Sequence, residues 1–308
     1  MKSTRKAYGE YLADIGAKRN DVVVLDADLA KATCTLMFKE KYPNRHFDIG
    51  IAEQDMVGEA CGMAIDGNKV FASSFAMFLA GRAYEQIRNT AAYSNVDVNF
   101  CATHAGLAVG EDGATHQCLE DIALMRTMPN MKVMSTSDDT QTKWAIKEIS
   151  KLNGPVYVRL SRAATPVIYD ENEKFEIGKA VQIGKGTDAT IFATGDTVAE
   201  AIKAKEMLEK LGKFVRVVDI HTIKPIDIDM IRKCAKETEI LVSVEDHNVI
   251  NGLGTAIADV LTEYYPKKLI KLGIKDTFGK SGKAEELMEY FGINANSIVE
   301  KMKQILSY

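Results

Sequence analysis

Short apolar runs alternate along this chain with helix-length amphipathic stretches, and that alternation limits the available folds more than any other feature. In the first half the runs are Asp21–Asp26 (DVVVLD), His46–Ile51 (HFDIGI), Lys69–Ser74 (KVFASS), Asp97–Thr103 (DVNFCAT), Met131–Ser135 (MKVMS) and Val156–Leu160 (VYVRL). Runs of this kind suit strands covered on both faces. Stretches such as Glu53–Ile65 and Ala80–Tyr93 are expected as helices between them. Strands alternating with helices imply a parallel sheet with right-handed crossovers. A polar stretch, Ala163–Glu176, carries Pro166 and the charged run DENEKFE and is expected to be a linker. The pattern then restarts with Ala189–Thr194. A capping box, Thr197 with Glu200, predicts a helix to about Leu211 that buries Val198, Ala201, Ile202, Leu208 and Leu211. Strands at Phe214–Ile220 and Ile240–Glu245 and helices near Ile226–Lys236 and Gly252–Tyr264 complete the reading. The expected architecture is α/β: two three-layer domains, 1–166 and the smaller 185–308, joined by 167–184. The halves share a class, not a sequence.

Composition excludes several functions. The 308 residues are 46% hydrophobic and 27% charged, ordinary for a globular protein, with a net charge of −4. A chain that coats nucleic acid needs a basic surface to meet phosphates. Five widely spaced cysteines (Cys34, Cys61, Cys101, Cys118, Cys234), with no CxxC pair, support neither a zinc ribbon nor a disulfide scaffold. The opening MKSTRKAYGEYL lacks a signal-peptide core, and no apolar run approaches the ~20 residues of a membrane span. A cytoplasmic protein with reduced thiols is expected.

Four clusters can carry chemistry. The densest, Thr103–Gln117 (THAGLAVGEDGATHQ), follows an expected strand and holds two of the five histidines, two acids and three glycines. Loops at the carboxyl ends of parallel strands are where α/β proteins place ligands. Its histidines can hydrogen-bond hydroxyl or phosphate oxygens and exchange protons. A glycine-rich surface loop with satisfied histidines fits the same composition. The second cluster, Asp48–Met56, puts Glu53 at the start of a helical pattern, either as a cap favoured by the helix dipole or as a buried carboxyl that shares a proton with a ligand. In the third, Phe75 and Phe78 lie three residues apart, with Arg82 following; this is core packing or a stacking surface for a planar ligand. The fourth ends an apolar strand with Leu160-Ser161-Arg162, where the arginine suits an anionic oxygen or a surface ion pair.

Taken together, the clusters resemble the transketolase family. The loop THAGLAVGEDGATHQ resembles the family's histidine-rich loop, GIAEQDM its conserved-glutamate motif and SFAMF its aromatic motif, while LDADLA and LSR follow in the expected order. STRKAYGEYL resembles the opening of the pyrimidine-binding domain, and VVDIHTIKPID and VEDH resemble parts of the carboxyl-terminal domain, so the resemblance spans essentially the whole chain. It implies thiamine diphosphate as cofactor and transfer of a two-carbon ketol unit between sugar phosphates, as in the pentose phosphate pathway. Full-length members hold the diphosphate through Mg²⁺ with a Gly-Asp-Gly motif and a later Asn, an arrangement this sequence lacks. The chain therefore looks like the carboxyl-terminal half of a split transketolase. Its partner would be a separate amino-terminal subunit that binds most of the Mg²⁺-diphosphate, and the assembly a heterotetramer around a dimer of this chain. This chain itself supplies no metal ligand in that reading.

By position, Glu53 matches the glutamate that hydrogen-bonds N1′ of the aminopyrimidine, and Phe75 and Phe78 match the rings around it, with Arg82 beside them. Asp28 matches an acid near the cofactor at the subunit interface. His104 and His116 match substrate-side histidines, Asp112 the acid that binds an acceptor hydroxyl, and Arg5 and Arg162 the phosphate-binding arginines. Two departures bear on the substrate. Ala32, flanked by Lys31 and Thr33, replaces a phosphate-binding serine, and Gly81 replaces a tyrosine. The stretch RAYEQIR is closer to 1-deoxyxylulose-5-phosphate synthase or the beta subunit of 2-oxoacid dehydrogenases, which are the alternative reactions on the same cofactor. A non-catalytic α/β binding subunit is the alternative of a different class; such a scaffold has no need of Glu53, His104 and Asp112 together.

Overall fold

A computed structural model describes residues 1–306. Among these residues the chain forms two main sheets, each with a parallel core. The first has seven strands in the order Thr222–Lys224, Lys132–Ser135, Val156–Arg159, Val98–Thr103, Lys69–Phe75, Val22–Asp26, His46–Asp48. All pair in parallel except Thr222–Lys224. The second has five, in the order Leu269–Ile274, Ile240–Asn248, Ala189–Ala193, Val215–Asp219, Val181–Ile183, the last antiparallel. Val22–Asp26, Lys69–Phe75 and Val98–Thr103, in the interior of the first sheet, are buried on every residue, as a sheet covered on both faces requires. Tyr8, Leu12, Phe38 and Phe71 pack one face. Another apolar cluster runs from Phe100 and Met125 through Ile220 and Ile223 to Phe192 and Ile257, joining both sheets in one core.

The α/β expectation holds, and the helix Glu53–Ile65 has the expected bounds. Several details differ. Thr222–Lys224 belongs to the second half of the sequence yet closes the edge of the first sheet against Lys132–Ser135. The stretch Ala163–Glu176 is tied down: Ala164–Thr165 pairs antiparallel with Lys2–Ser3, and the buried Tyr169 hydroxyl donates to Asp219 at 2.7 Å. The expected helix at Ala80–Tyr93 begins at Met77 and is mostly π-helical, in turns 77–82 and 87–92. The strand expected to reach Ile51 stops at Asp48, whose carboxylate accepts the Asp28 and Gly50 N–H groups. The capping box is not formed. The Thr197 hydroxyl donates to the carbonyls of Thr194 and Val244, and Glu200 instead accepts the Ala295 N–H at 2.8 Å. That helix ends at Glu209, which leaves Leu211 exposed rather than buried. No helix among the described residues is long and apolar enough to cross a membrane, and all five cysteines are free thiols.

Candidate active site

After Val22–Asp26 the chain of the first sheet moves to its edge at His46–Asp48, then crosses back to Lys69–Phe75 on the other side. The strand order therefore reverses between Val22–Asp26 and Lys69–Phe75, and a crevice opens at their carboxyl ends, the general ligand position of such sheets. Glu53, Phe75, Phe78 and His104 all leave the sheet at this end.

Glu53 opens its helix and is 1% exposed. One carboxylate oxygen accepts the Ser74 hydroxyl at 3.2 Å; the other accepts Arg82 Nη1 at 2.5 Å. The Arg82 guanidinium lies 4.8 Å over the Phe78 ring. The Phe75 and Phe78 rings are nearly parallel, with centroids 5.7 Å apart and planes 20° apart. The Met77 methyl fills the space beside Gly81, coming within 2.4 Å of where a Cβ would stand.

His104 packs on Phe75 with centroids 3.9 Å apart and sits in the left-handed region at φ +57. Its Nδ1 is 2.9 Å from the Thr103 hydroxyl and its Nε2 is 3.2 Å from Arg5 Nη1. An arginine only donates, so this contact makes Nε2 an acceptor and puts the proton on Nδ1. Burial drives its pKa down to about 3, and the charges of Arg5 and Arg162 reinforce the shift. His116 stands edge-on to Phe78 at 5.4 Å, with the Thr115 hydroxyl 2.9 Å from its Nδ1.

Arg5 donates to the Ala32 carbonyl at 2.7 Å, so the position that lacks a serine hydroxyl still meets the arginine through its backbone. Arg162 donates to the Val109 carbonyl, and its Nη1 is 3.8 Å from Asp112. Both side chains are more than two-fifths exposed, at the open side of the histidine loop. Asp28 is exposed, at φ +58. The structure thus brings Glu53, Phe75, Phe78, Arg82, His104, His116 and Arg5 into one connected set, sets Arg162 and Asp112 at the loop's edge, and leaves Asp28 outside those contacts. Sequence reasoning gave no role to Ser74 or to Thr103, the hydroxyls that hold Glu53 and His104. Each directly precedes or follows a residue already singled out, and adjacency was the only signal. Among the described residues no group of three or more His, Cys, Asp or Glu side chains is arranged to hold a metal ion.

Residues 1–167 match the family "Transketolase, pyrimidine binding domain", and residues 178–298 match "Transketolase, C-terminal domain". The chain is 48% identical to "Putative transketolase C-terminal section" of Methanocaldococcus jannaschii over 98% of this chain and 96% of that protein. It is 36% identical to "6-deoxy-6-sulfo-D-fructose transketolase subunit SqwH" of a Clostridium species, over 98% and 94%. A solved structure described as "Split gene transketolase, inactive beta4 tetramer" superposes with a TM-score of 0.93 at 42% identity, covering 100% of this chain and 99% of that one. The chain belongs to the transketolase family, and its whole length corresponds to the family's carboxyl-terminal portion.

Proposed function

We propose that this chain is the pyrimidine-pocket subunit of a two-chain, thiamine diphosphate-dependent transketolase that moves a two-carbon ketol unit from a ketose phosphate to an aldose phosphate. The observation that carries the reading is a buried carboxylate, Glu53, linked through Arg82 to a nearly parallel pair of rings, with a neutral histidine packed on the first of them. This donor set fits a planar aminopyrimidine: the carboxyl for a ring nitrogen, the flat rings for its face. Thiamine diphosphate, when bound, supplies the carbon nucleophile that accepts the two-carbon unit. Glu53 would hold a proton at N1′, with Phe75 stacking on the ring and Phe78 lining the same pocket. Arg82 gives up Glu53 and remains at the rim. His104 exchanges a proton with a hydroxyl of the reacting substrate, and His116 and Asp112 hold acceptor hydroxyls. Arg5 and Arg162 grip the phosphate. Asp28 would stand near the cofactor at the subunit interface.

The diphosphate and Mg²⁺ fall to a separate amino-terminal subunit carrying Gly-Asp-Gly…Asn, in a cytoplasmic heterotetramer acting in the pentose phosphate pathway. Support for a separate subunit is that relatives matched along nearly their full length are named as a C-terminal section or a subunit. The test combines the purified chain with such a subunit, thiamine diphosphate, Mg²⁺ and a panel of ketose and aldose phosphates. Turnover only in the mixture is the expected result. Mg²⁺-dependent turnover by this chain alone overturns the two-chain assignment.

A further inference from the structure

The second sheet has its own reversal of strand order, between Ala189–Ala193 and Ile240–Asn248. A crevice at such a point ordinarily takes a ligand. Here the first sheet's histidine loop fills it. Asp246, 3% exposed near the carboxyl end of Ile240–Asn248, accepts the Leu107 N–H with both carboxylate oxygens, each at 3.0 Å. Gly106, at φ +74, lies so close that a Cβ there would be 2.0 Å from Asp246 Oδ2. The Asp246 carbonyl accepts Arg159 Nη2 at 2.7 Å, and Arg159 in turn pairs with the buried Asp121 at 2.9 Å. Beside it the Ser161 hydroxyl, next to Arg162 in the chain, donates to Asp196, in the turn that follows the neighbouring strand.

Between His104 and Leu107 the backbone has little freedom left. His104 and Gly106 both take positive φ; Ala105 N–H donates to the Leu160 carbonyl at 3.3 Å and Gly106 N–H to Cys118 at 3.0 Å. The Leu107 N–H is the last fixed point of this turn, and it is fixed by the second half of the molecule. A buried carboxyl group that accepts one backbone N–H with both oxygens is a directional hold, costly to leave unmade. We propose that Asp246 is a positioning residue for the ketol-transfer reaction, setting His104 against Phe75 by holding the Gly106–Leu107 turn. The proposal rests on the transketolase reading for the role of His104, but the hold itself does not.

Two measurements separate these. In the assembled two-chain enzyme, Asp246→Ala is expected to lower kcat roughly 10²-fold, the scale of a ~1 Å misplacement. Asp246→Asn, which keeps one acceptor oxygen, should lose less, and the half-saturating thiamine diphosphate concentration should stay within about twofold in both. In this chain alone, labelled with ¹⁵N-histidine, Asp246→Asn and Gly106→Ala should both shift the His104 imidazole resonances and leave His46, at the far edge of the sheet, in place. If the wild-type pair shows no ketol transfer yet His104 moves in the variants, the reaction assignment fails and the positioning role stands. If Asp246→Asn keeps kcat per folded molecule and the His104 resonances, Asp246 is merely structural and the proposal is overturned. Should Asp246→Ala fail to fold, Asp246→Asn decides alone.

Discussion

In the proposed pocket Arg82 already pairs with the Glu53 carboxylate that a ring nitrogen of the aminopyrimidine would take, and its guanidinium lies over Phe78. Its partly exposed side chain can swing out along the rim. Glu53→Gln keeps the shape and the Ser74 contact but loses the acid. Turnover of the two-chain enzyme should fall by at least ~10²–10⁴-fold with little change in melting temperature; the check is the C2-proton exchange rate of bound cofactor alongside the steady-state rate. A second residue-scale prediction concerns His104. With its pKa pushed to about 3 by burial and by Arg5, it stays neutral across pH 5–8. In Arg5→Ala one repelling cation is gone and the pKa should rise, while burial keeps it below the ordinary histidine value. A histidine-detected NMR titration of the chain reads this directly, and an unmoved His104 would remove Arg5 from its surroundings.

At the scale of elements, the amino-terminal strand does more than begin the chain. Lys2–Ser3 pairs with Ala164–Thr165, Ser161 N–H donates to the Thr4 hydroxyl at 2.7 Å, and Arg5 N–H reaches the Ser161 carbonyl at 3.4 Å. These contacts aim Arg5 from one side and Arg162 from the other. Removing residues 1–3 should raise KM for a sugar phosphate several-fold more than for its unphosphorylated analogue, and cost about 1–3 kcal/mol of stability through lost backbone pairing; parallel kinetics and urea unfolding check it. The sequence made much of this level legible. Continuous apolar runs identified the buried strands, and the helix at Glu53–Ile65 followed from its periodicity. Phe75, Phe78, Glu53 and His104 were legible because each sits at or within five residues of a strand's carboxyl end. The rest depended on distant partners. Nothing local says that Glu200 leaves its own helix's start to accept the Ala295 N–H, that Arg82 folds back on Glu53, or that VEDH reaches Leu107. The π-helical turns from Met77 were hidden because an amphipathic pattern does not distinguish a period of 3.6 residues from a slightly wider one.

Across the whole molecule, buried acids lie where the halves meet. Asp219 accepts Ser137, Gln141 and Tyr169 on a single oxygen, and burial raises its pKa to about 6. Its folded value exceeds the unfolded one, so the folded state holds the proton that the unfolded chain has lost between about pH 4 and 6, and stability falls as pH rises through that window. Asp219→Asn should remove this slope, up to about 1.4 kcal/mol per pH unit, and a series of denaturant titrations from pH 4 to 7 on both proteins would measure it. The edge strand Thr222–Lys224 has a different consequence, one of timing. Lys132–Ser135 leaves the ribosome with its outer edge unpaired, and the strand that covers it is made about 90 residues later. At ~5–20 residues per second that is roughly 4–20 s with a buried-type strand open to pairing with other chains. A nascent chain of this protein is therefore most vulnerable to aggregation after its first sheet is otherwise complete, and a chaperone that shields it need act only until Lys224 emerges.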